Sequence, residues 1–420
     1  MKRLSAVGRS VASAGLFAWF FVGVSTASAA SRDIDAVFRA DPAKPTDNQF
    51  VVTTPISGFC FNWPELCAVD GLSSFMIPVT FDSSSAIQAN HPDTRQGAMF
   101  KVPGSWRTIQ VVHMVTGESE DVSVRIAGVG AKFRLSDKAV DLVGGGVSLF
   151  QAHEKLWTGG IWGKAPQPCT NTPVSLFSDY GYEFFWLLPQ QDVLCAKQAK
   201  YLIPAFGYTH VNFAFDVRTP NPLKMSTGHY KGSLTYGIGP GQDFDMGDVM
   251  VANDSQLTLN FNLEVQHTLK VEIPPGGNRV ELVPQEGWQS WLNSGRKPTR
   301  LFRDQRFHIS ASSRFKMALE CQIISGNTCA ISETSTGHVV PVDVSVTLPN
   351  GLTDAAGQPV NRRRLLRDGS GTELFQPGVY IDRRSGTLHF EVPRASVEEM
   401  LDNDAKAYTG NVTVIWDSEI

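Results

Sequence analysis

Tyr408-Thr409-Gly410-Asn411-Val412-Thr413-Val414-Ile415-Trp416-Asp417-Ser418-Glu419-Ile420 closes the chain, and its reading decides the fold. Tyr408, Val412, Val414 and Trp416 fall on one phase of a period of two, with Thr409, Asn411 and Thr413 on the other. That is the pattern of a β-strand with one buried face. No turn and no further strand follow it in the sequence. Unpaired backbone donors and acceptors beside an apolar face are costly and adhesive. The expectation is therefore a β-sandwich whose outer neighbour at this strand comes from another chain.

Outward from that strand, the chain has 420 residues, 42% apolar and 19% charged, the composition of a folded globular protein with more than one domain. A net charge of −4 gives no reason to expect nucleic acid as a partner. The N-terminus reads as a secretory signal over residues 1–29. Lys2, Arg3 and Arg9 precede the apolar run Val11 to Val24, and Ala27-Ser28-Ala29 places cleavage before Ala30. No later segment approaches the ~20 apolar residues of a spanning helix. Six cysteines in an exported chain are expected to pair, and their spacing favours Cys60 with Cys67, Cys169 with Cys195, and Cys321 with Cys329. A metal site has no Cys-x-x-Cys or Cys/His cluster to support it.

Short alternating runs recur along the whole chain. Val122, Val124 and Ile126 form one, and Val211, Phe213 and Phe215 another. Gly128-Val129-Gly130, Gly144-Gly145-Gly146 and Gly159-Gly160 punctuate them as expected strand breaks. The cleanest strand is Leu257, Leu259, Phe261, Leu263 and Val265, and the alternation resumes in Leu269, Val271 and Ile273. A single strand of that length exceeds the usual ~3–10 residues, so a domain boundary falls near Val265 to Thr268. Residues 30–264 are assigned to the first domain and 265–420 to the second. In the second, Phe307 to Ala311, Phe315 to Cys321, Val342 to Leu348 and Leu388 to Val392 alternate in turn. Only Ala395 to Leu401 reads as a helix, with Ser396 as its cap. Some seven or eight short strands in about 150 residues match an immunoglobulin-like sandwich. Ser31 to Gln49 shows no clean alternating strand.

The chain from residue 228 onward resembles the CblD-like pilus biogenesis initiator family, which includes the CfaE-type fimbrial tip adhesins. The residues that carry the resemblance are Gly228-His229-Tyr230-Lys231-Gly232-Ser233-Leu234-Thr235-Tyr236 and Gly239-Pro240-Gly241-Gln242-Asp243-Phe244-Asp245. Trp288-Gln289-Ser290-Trp291-Leu292, Gly295-Arg296-Lys297-Pro298 and Leu301-Phe302-Arg303-Asp304-Gln305 continue it. Ser312-Ser313-Arg314-Phe315-Lys316-Met317, the Cys321 and Cys329 pair, and the closing stretch from Tyr408 to Asp417 complete it. No comparable motif occurs between Ser31 and Arg218. The resemblance implies an all-β subunit of two tandem immunoglobulin-like β-sandwich domains on the alternate chaperone–usher pathway. Its N-terminal domain would be a receptor-binding adhesin. Its C-terminal pilin domain would be incomplete and completed by a donor strand. The implied partners are a periplasmic pilus chaperone, an outer-membrane usher, a major pilin that donates the strand, and a host-surface receptor, a glycan by class. The implied location is the fimbrial tip at the cell surface. Tyr408, Val412, Val414 and Trp416 are then the residues expected to edge the chaperone and donor-strand groove.

Nothing in the sequence points to catalysis or to a cofactor or metal. Asp243-Phe244-Asp245-Met246-Gly247-Asp248 lacks the ligand spacing and distal glutamate of a calcium loop and reads as a polar turn. Gly237-Ile238-Gly239-Pro240-Gly241 opens no helix and is not a dinucleotide fingerprint. No His-Glu-x-x-His or Gly-x-Ser-x-Gly motif occurs. His308 and His389 sit on polar phases, where solvation is expected. Asn253-Asp254-Ser255 and Asn411-Val412-Thr413 match a glycosylation sequon without a context for one. Arg362-Arg363-Arg364 and the cluster of Arg296, Lys297, Arg300 and Arg303 read as solvated faces, or as a surface for chaperone or usher. Sugars are held by an aromatic face with charged donors. The candidates for that role are Arg95, Arg107, Arg125, Trp157 and Trp162, with core packing the favoured expectation for the tryptophans. A secreted lectin-like β-sandwich protein outside any fibre is the alternative function.

Overall fold

The computed structural model describes residues 30–403 and 407–418. The expected leader, with its cleavage motif, lies outside the described residues, as do Glu419 and Ile420. Strands dominate and the helices are short, as the alternating runs require. The strands that build the first half are β1 (Ala30–Arg39), β2 (Arg107–His113), β3 (Ser119–Leu135), β4 (Phe206–Arg218), β5 (Gly228–Gly237) and β6 (Gln256–Gln266). Those of the second half are β7 (Leu269–Glu272), β8 (Leu301–Ala311), β9 (Phe315–Cys321), β10 (Thr328–Glu333), β11 (Val339–Thr347), β12 (Ile381–Val392), β13 (Tyr408–Thr409) and β14 (Val412–Ser418).

In the first sheet the spatial order is β4–β3–β2–β5–β6–β1, and short strands extend both ends. Its neighbours run antiparallel except β1, which lies parallel to β6 from Ala30 beside Leu257 to Arg39 beside Gln266. This overturns the expectation that the early chain holds no clean strand. Ile34, Ala36 and Phe38 are buried on one phase, while Asp33 and Asp35 stand on the other. Those two carboxylates accept hydrogen bonds from the side-chain amides of Asn260 and Asn262, each at 2.8 Å. The short apolar run hid among acidic residues whose partners lie more than two hundred residues away.

Gly128-Val129-Gly130 does not separate strands but lies inside β3. A Cβ at Gly128 or Gly130 would overlap the Phe185 ring, so the glycines let that ring lie flat on the strand. Phe185 then stacks on Phe59 with centroids 4.0 Å apart. Phe59 belongs to a short helical excursion closed by the Cys60–Cys67 disulfide. Disulfides also join Cys169 to Cys195 and Cys321 to Cys329. A helix over Leu149–Leu156 was not expected, although Ser148 and Gln151 form a reciprocal capping box that marks its start. The helix near the C-terminus spans Arg394–Asp402, and Ser396 is buried inside it rather than capping it.

The two halves have separate hydrophobic cores. Ile34, Phe38, Phe133, Trp186, Phe261 and Val265 belong to the first. Phe307, Phe315, Met317, Val344, Phe375 and Leu388 belong to the second. Because β6 runs to Gln266 and Val265 is buried in the first core, the change of core comes at His267 and Thr268, just past Glu264. His267 hydrogen-bonds residues of both halves. Its Nε2 is 2.9 Å from the Met225 carbonyl and its Nδ1 is 3.2 Å from Ser312 Oγ.

Candidate strand-acceptor groove

The second core is shared by two sheets. One runs β7–β8–β12–β11–β10, and in the other β14 pairs with β9, whose far side meets the short strand Phe375–Pro377. Among the described residues β14 pairs with β9 alone, in antiparallel register from Cys321 beside Val412 to Phe315 beside Ser418. It is an edge strand. So is β7, which ends the opposing sheet. The sandwich is therefore open along one seam, between β7 and β14.

What lies in the seam is set by the alternation in β14. Val412, Val414 and Trp416 point toward the core, and Thr413, Ile415 and Asp417 point away. On β9 the equivalent inward residues are sealed: Phe315 and Met317 are 0% exposed and Leu319 is 3% exposed. The inward residues of β14 are only half-buried. They line a groove of about 500 Å³ whose other walls include Val271, Ile273, Val280, Leu282, Phe307 and Phe390. Trp416 packs edge-on against Phe307 at 4.9 Å and tilts against Phe315 at 5.8 Å, so its ring forms part of the groove floor. Phe307 is itself placed by Gly386, its cross-strand neighbour on β12, where any Cβ would overlap the ring. A well-patterned strand at a sheet edge, with apolar side chains left half-covered, can accept an extended segment from another chain. Such a segment makes backbone hydrogen bonds to β14 and sends alternate side chains into the groove.

Tyr408 is not part of this site. The chain changes sheets between β13 and β14: Tyr408 pairs with Glu333 on β10, and its hydroxyl lies 2.8 Å from His338 Nδ1. Gly410 makes the crossing, because a Cβ there would come within 2.8 Å of the Ala330 carbonyl oxygen. The Cys321–Cys329 disulfide ties β9 to β10 beside the crossing, at the end of β9 that faces Val412.

The candidate receptor residues separate into two groups. Trp157 and Trp162 are 1% and 0% exposed, in the centre of the first core, and Trp162 stacks on Trp186 at 5.2 Å. They cannot meet a ligand, because their apolar rings are the filling between the sheets. Arg95 and Arg107 are partly exposed but engaged, and Arg125 is largely buried, its side chain only 11% exposed. Arg95 binds Asp245 at 2.8 Å and Asp248 at 2.6 Å, and Arg107 pairs with Asp243. The acidic turn is thus an ion-pair clasp. Burial opposes ionisation of Asp245, yet hydrogen bonds from Arg95 and from the Gly247 and Gly241 amides hold its carboxyl below the usual range. Arg125 pairs with Asp216 at 3.4 Å. Trp106, which the sequence did not single out, is half-buried with the Arg218 guanidinium 3.9 Å from its ring centroid and that of Arg125 at 5.6 Å. Its signal was local: Ser105-Trp106-Arg107 follows Pro103-Gly104. Arg107, Lys101, Asp192 and Gln242 line a small polar pocket of about 180 Å³ nearby. The histidine expectation also changes: His389 is buried, 2.7 Å from Asp304 and 2.8 Å from Thr347 Oγ1. The triple-arginine run pairs with Asp304, Asp354 and Asp343.

No family model matches the chain, and no curated protein matches it. Solved structures do. CfaE, the adhesive subunit of the CFA/I fimbria of enterotoxigenic Escherichia coli, aligns over 93% of this chain and 95% of its own at 10% identity, with a TM-score of 0.24. The chaperone–tip adhesion subunit pre-assembly complex of the archaic chaperone–usher Csu pili of Acinetobacter baumannii aligns over 93% of this chain and 98% of the matched chain at 11% identity, with a TM-score of 0.21. These neighbours are fimbrial tip adhesins. Likeness this distant leaves the open seam beside β14 as the ground for a functional reading.

Proposed function

We propose that this chain is the tip subunit of a fimbria: it starts the fibre, and its first half meets a host-surface receptor. The observation that carries the reading is the half-covered apolar face of Val412, Val414 and Trp416 along an edge strand in an open groove. A periplasmic chaperone fills that groove with an extended strand, and at the outer-membrane usher the next pilin's extension replaces it. Strand addition suits the site because β14 offers a free edge for main-chain bonds and the groove takes alternate side chains. The N-terminal strand supports a terminal place in the fibre. β1 is paired within its own sheet and buries Ile34, Ala36 and Phe38, so it is not free to complete another subunit. For the receptor, the half-buried Trp106 and the exposed Arg218 beside it combine an aromatic ring with a guanidinium, chemistry suited to a glycan.

Deleting this chain from a cell that makes the fibre tests the reading. Fibres and host-cell binding should both disappear, and return with the wild-type chain but not with a groove variant. A full-length chain that is exported as a stable monomer without any partner would instead favour the free lectin-like protein.

A further inference from the structure

β1 begins at Ala30, whose backbone nitrogen lies 2.7 Å from Asp254 Oδ2. In the sequence the same residue follows Ala27-Ser28-Ala29, the small-residue pattern of a leader cleavage site. A processing signal and a carboxylate placed by the fold therefore meet at one atom. Asp254 is held in that position. Its Oδ1 accepts from the Gln256 amide at 3.2 Å. Asn253 beside it is tied to the segment before the strand at Phe81: its amide donates to the Thr80 carbonyl at 3.0 Å, its Oδ1 accepts from the Thr80 amide at 2.9 Å, and its Nδ2 donates to the Pro78 carbonyl at 3.4 Å. These bonds give Asn253-Asp254-Ser255 a structural role.

We propose that leader cleavage after Ala29 creates an α-ammonium group on Ala30 that ion-pairs with Asp254, so that processing itself fastens β1 to β6. Hydrolysis breaks the Ala29–Ala30 C–N bond. Water supplies the hydroxyl that stays on Ala29 and the proton that stays on the Ala30 nitrogen, and the new amine takes up a further proton near neutral pH. Before cleavage, Asp254 meets a neutral amide with a single N–H. Afterwards it meets a cation with three donors, and charge-assisted hydrogen bonds are the stronger ones. The position is specific. One extra residue would carry the charge about 3.5 Å along the strand, beyond the carboxylate, and one residue fewer would remove the donor. The pairing also secures the start of a strand that sits in parallel register near the margin of its sheet, where Ile34, Ala36 and Phe38 are the buried anchors further in. This holds whether or not the chain belongs to a fibre.

The test uses the full chain purified from the periplasm in the presence of whatever fills its groove. Mass spectrometry of the terminal peptide should show Ala30 as the first residue. An amine-reactive acylating probe at pH 7 should then modify the Ala30 α-amine about 5-fold more slowly than in Asp254→Asn, the factor for a pKa about 0.7 above the ordinary ~7.7–8.0. The two proteins should react equally in urea. If Asp254→Asn does not fold, NMR titration of the wild-type α-amine decides the matter, with a midpoint above ~8 expected. A different first residue, equal labelling of the folded proteins, or an ordinary midpoint would each overturn the proposal.

Discussion

Val414→Asp is the sharpest perturbation of the groove, because its effect differs between the free and the completed subunit. In the chain alone Val414 is half-buried. Complete burial of a valine contributes ~1.5–3 kcal/mol, so exposing the rest of it should cost the free subunit only about 1 kcal/mol. Under a donor strand the same carboxylate lies among Val412, Val271, Phe307 and Trp416, with no cation among the described groove-lining residues to pair with it. Removing the apolar contact and burying an unpaired charge there should cost the complex at least ~4 kcal/mol, or about a thousandfold in affinity. Ile415→Asp is the control. It is the next residue, it is 39% exposed, and it points away from the core. The assay is co-purification with the periplasmic chaperone, followed by melting of the complex. Val414→Asp should abolish capture and Ile415→Asp should leave it nearly intact. Equal behaviour of the two variants would refute the assignment, since a site that ignores the strand's phase is not a strand-acceptor groove.

Two further outcomes rest on particular residues. Gly386→Ala should displace the Phe307 ring from the groove floor and destabilise the second half by ~1–3 kcal/mol, measured as a lower unfolding midpoint with weaker chaperone binding. Burial pushes His267 below its ordinary value, with nearby Arg314 acting in the same direction. The unfolded chain therefore takes up a proton near pH ~6.5 that the folded chain refuses, so this contribution to stability is present above that pH and is lost as pH falls. His267→Asn should flatten the decline in urea midpoint between pH 7 and pH 5, leaving the part that comes from the similarly depressed His153 and His210. An unchanged slope would show that the junction does not titrate.

The strands of the second half were legible because one buried face imposes a period of two on the sequence, which Phe307 to Ala311, Phe315 to Cys321 and Val412 to Trp416 each show, the last with Ile415 as an apolar residue on its outward phase. β1 was not, because its three buried residues sit among aspartates that become acceptable only when Asn260 and Asn262 are set beside them. Trp157 and Trp162 show the limit for the receptor site. Their place around Gly159-Gly160 left core packing and a ligand role both open, because burial depends on which sheets close over the rings. Tyr408 keeps the phase of Val412 but lies in the other sheet, since periodicity records which face is apolar and not which strand lies alongside.

By itself the sequence determined that the last strand is apolar on one face and that the chain is built from such strands, because alternation is a local consequence of backbone geometry. Whether that face is covered is a property of distant segments. Only the tertiary structure decided that β9 seals one side of β14, that β7 ends the opposing sheet, and that a groove stays open between them. It also decided that β1 is held in its own sheet with Ala30 beside Asp254. Those contacts join residues far apart in the chain, and only the folded arrangement brings them together.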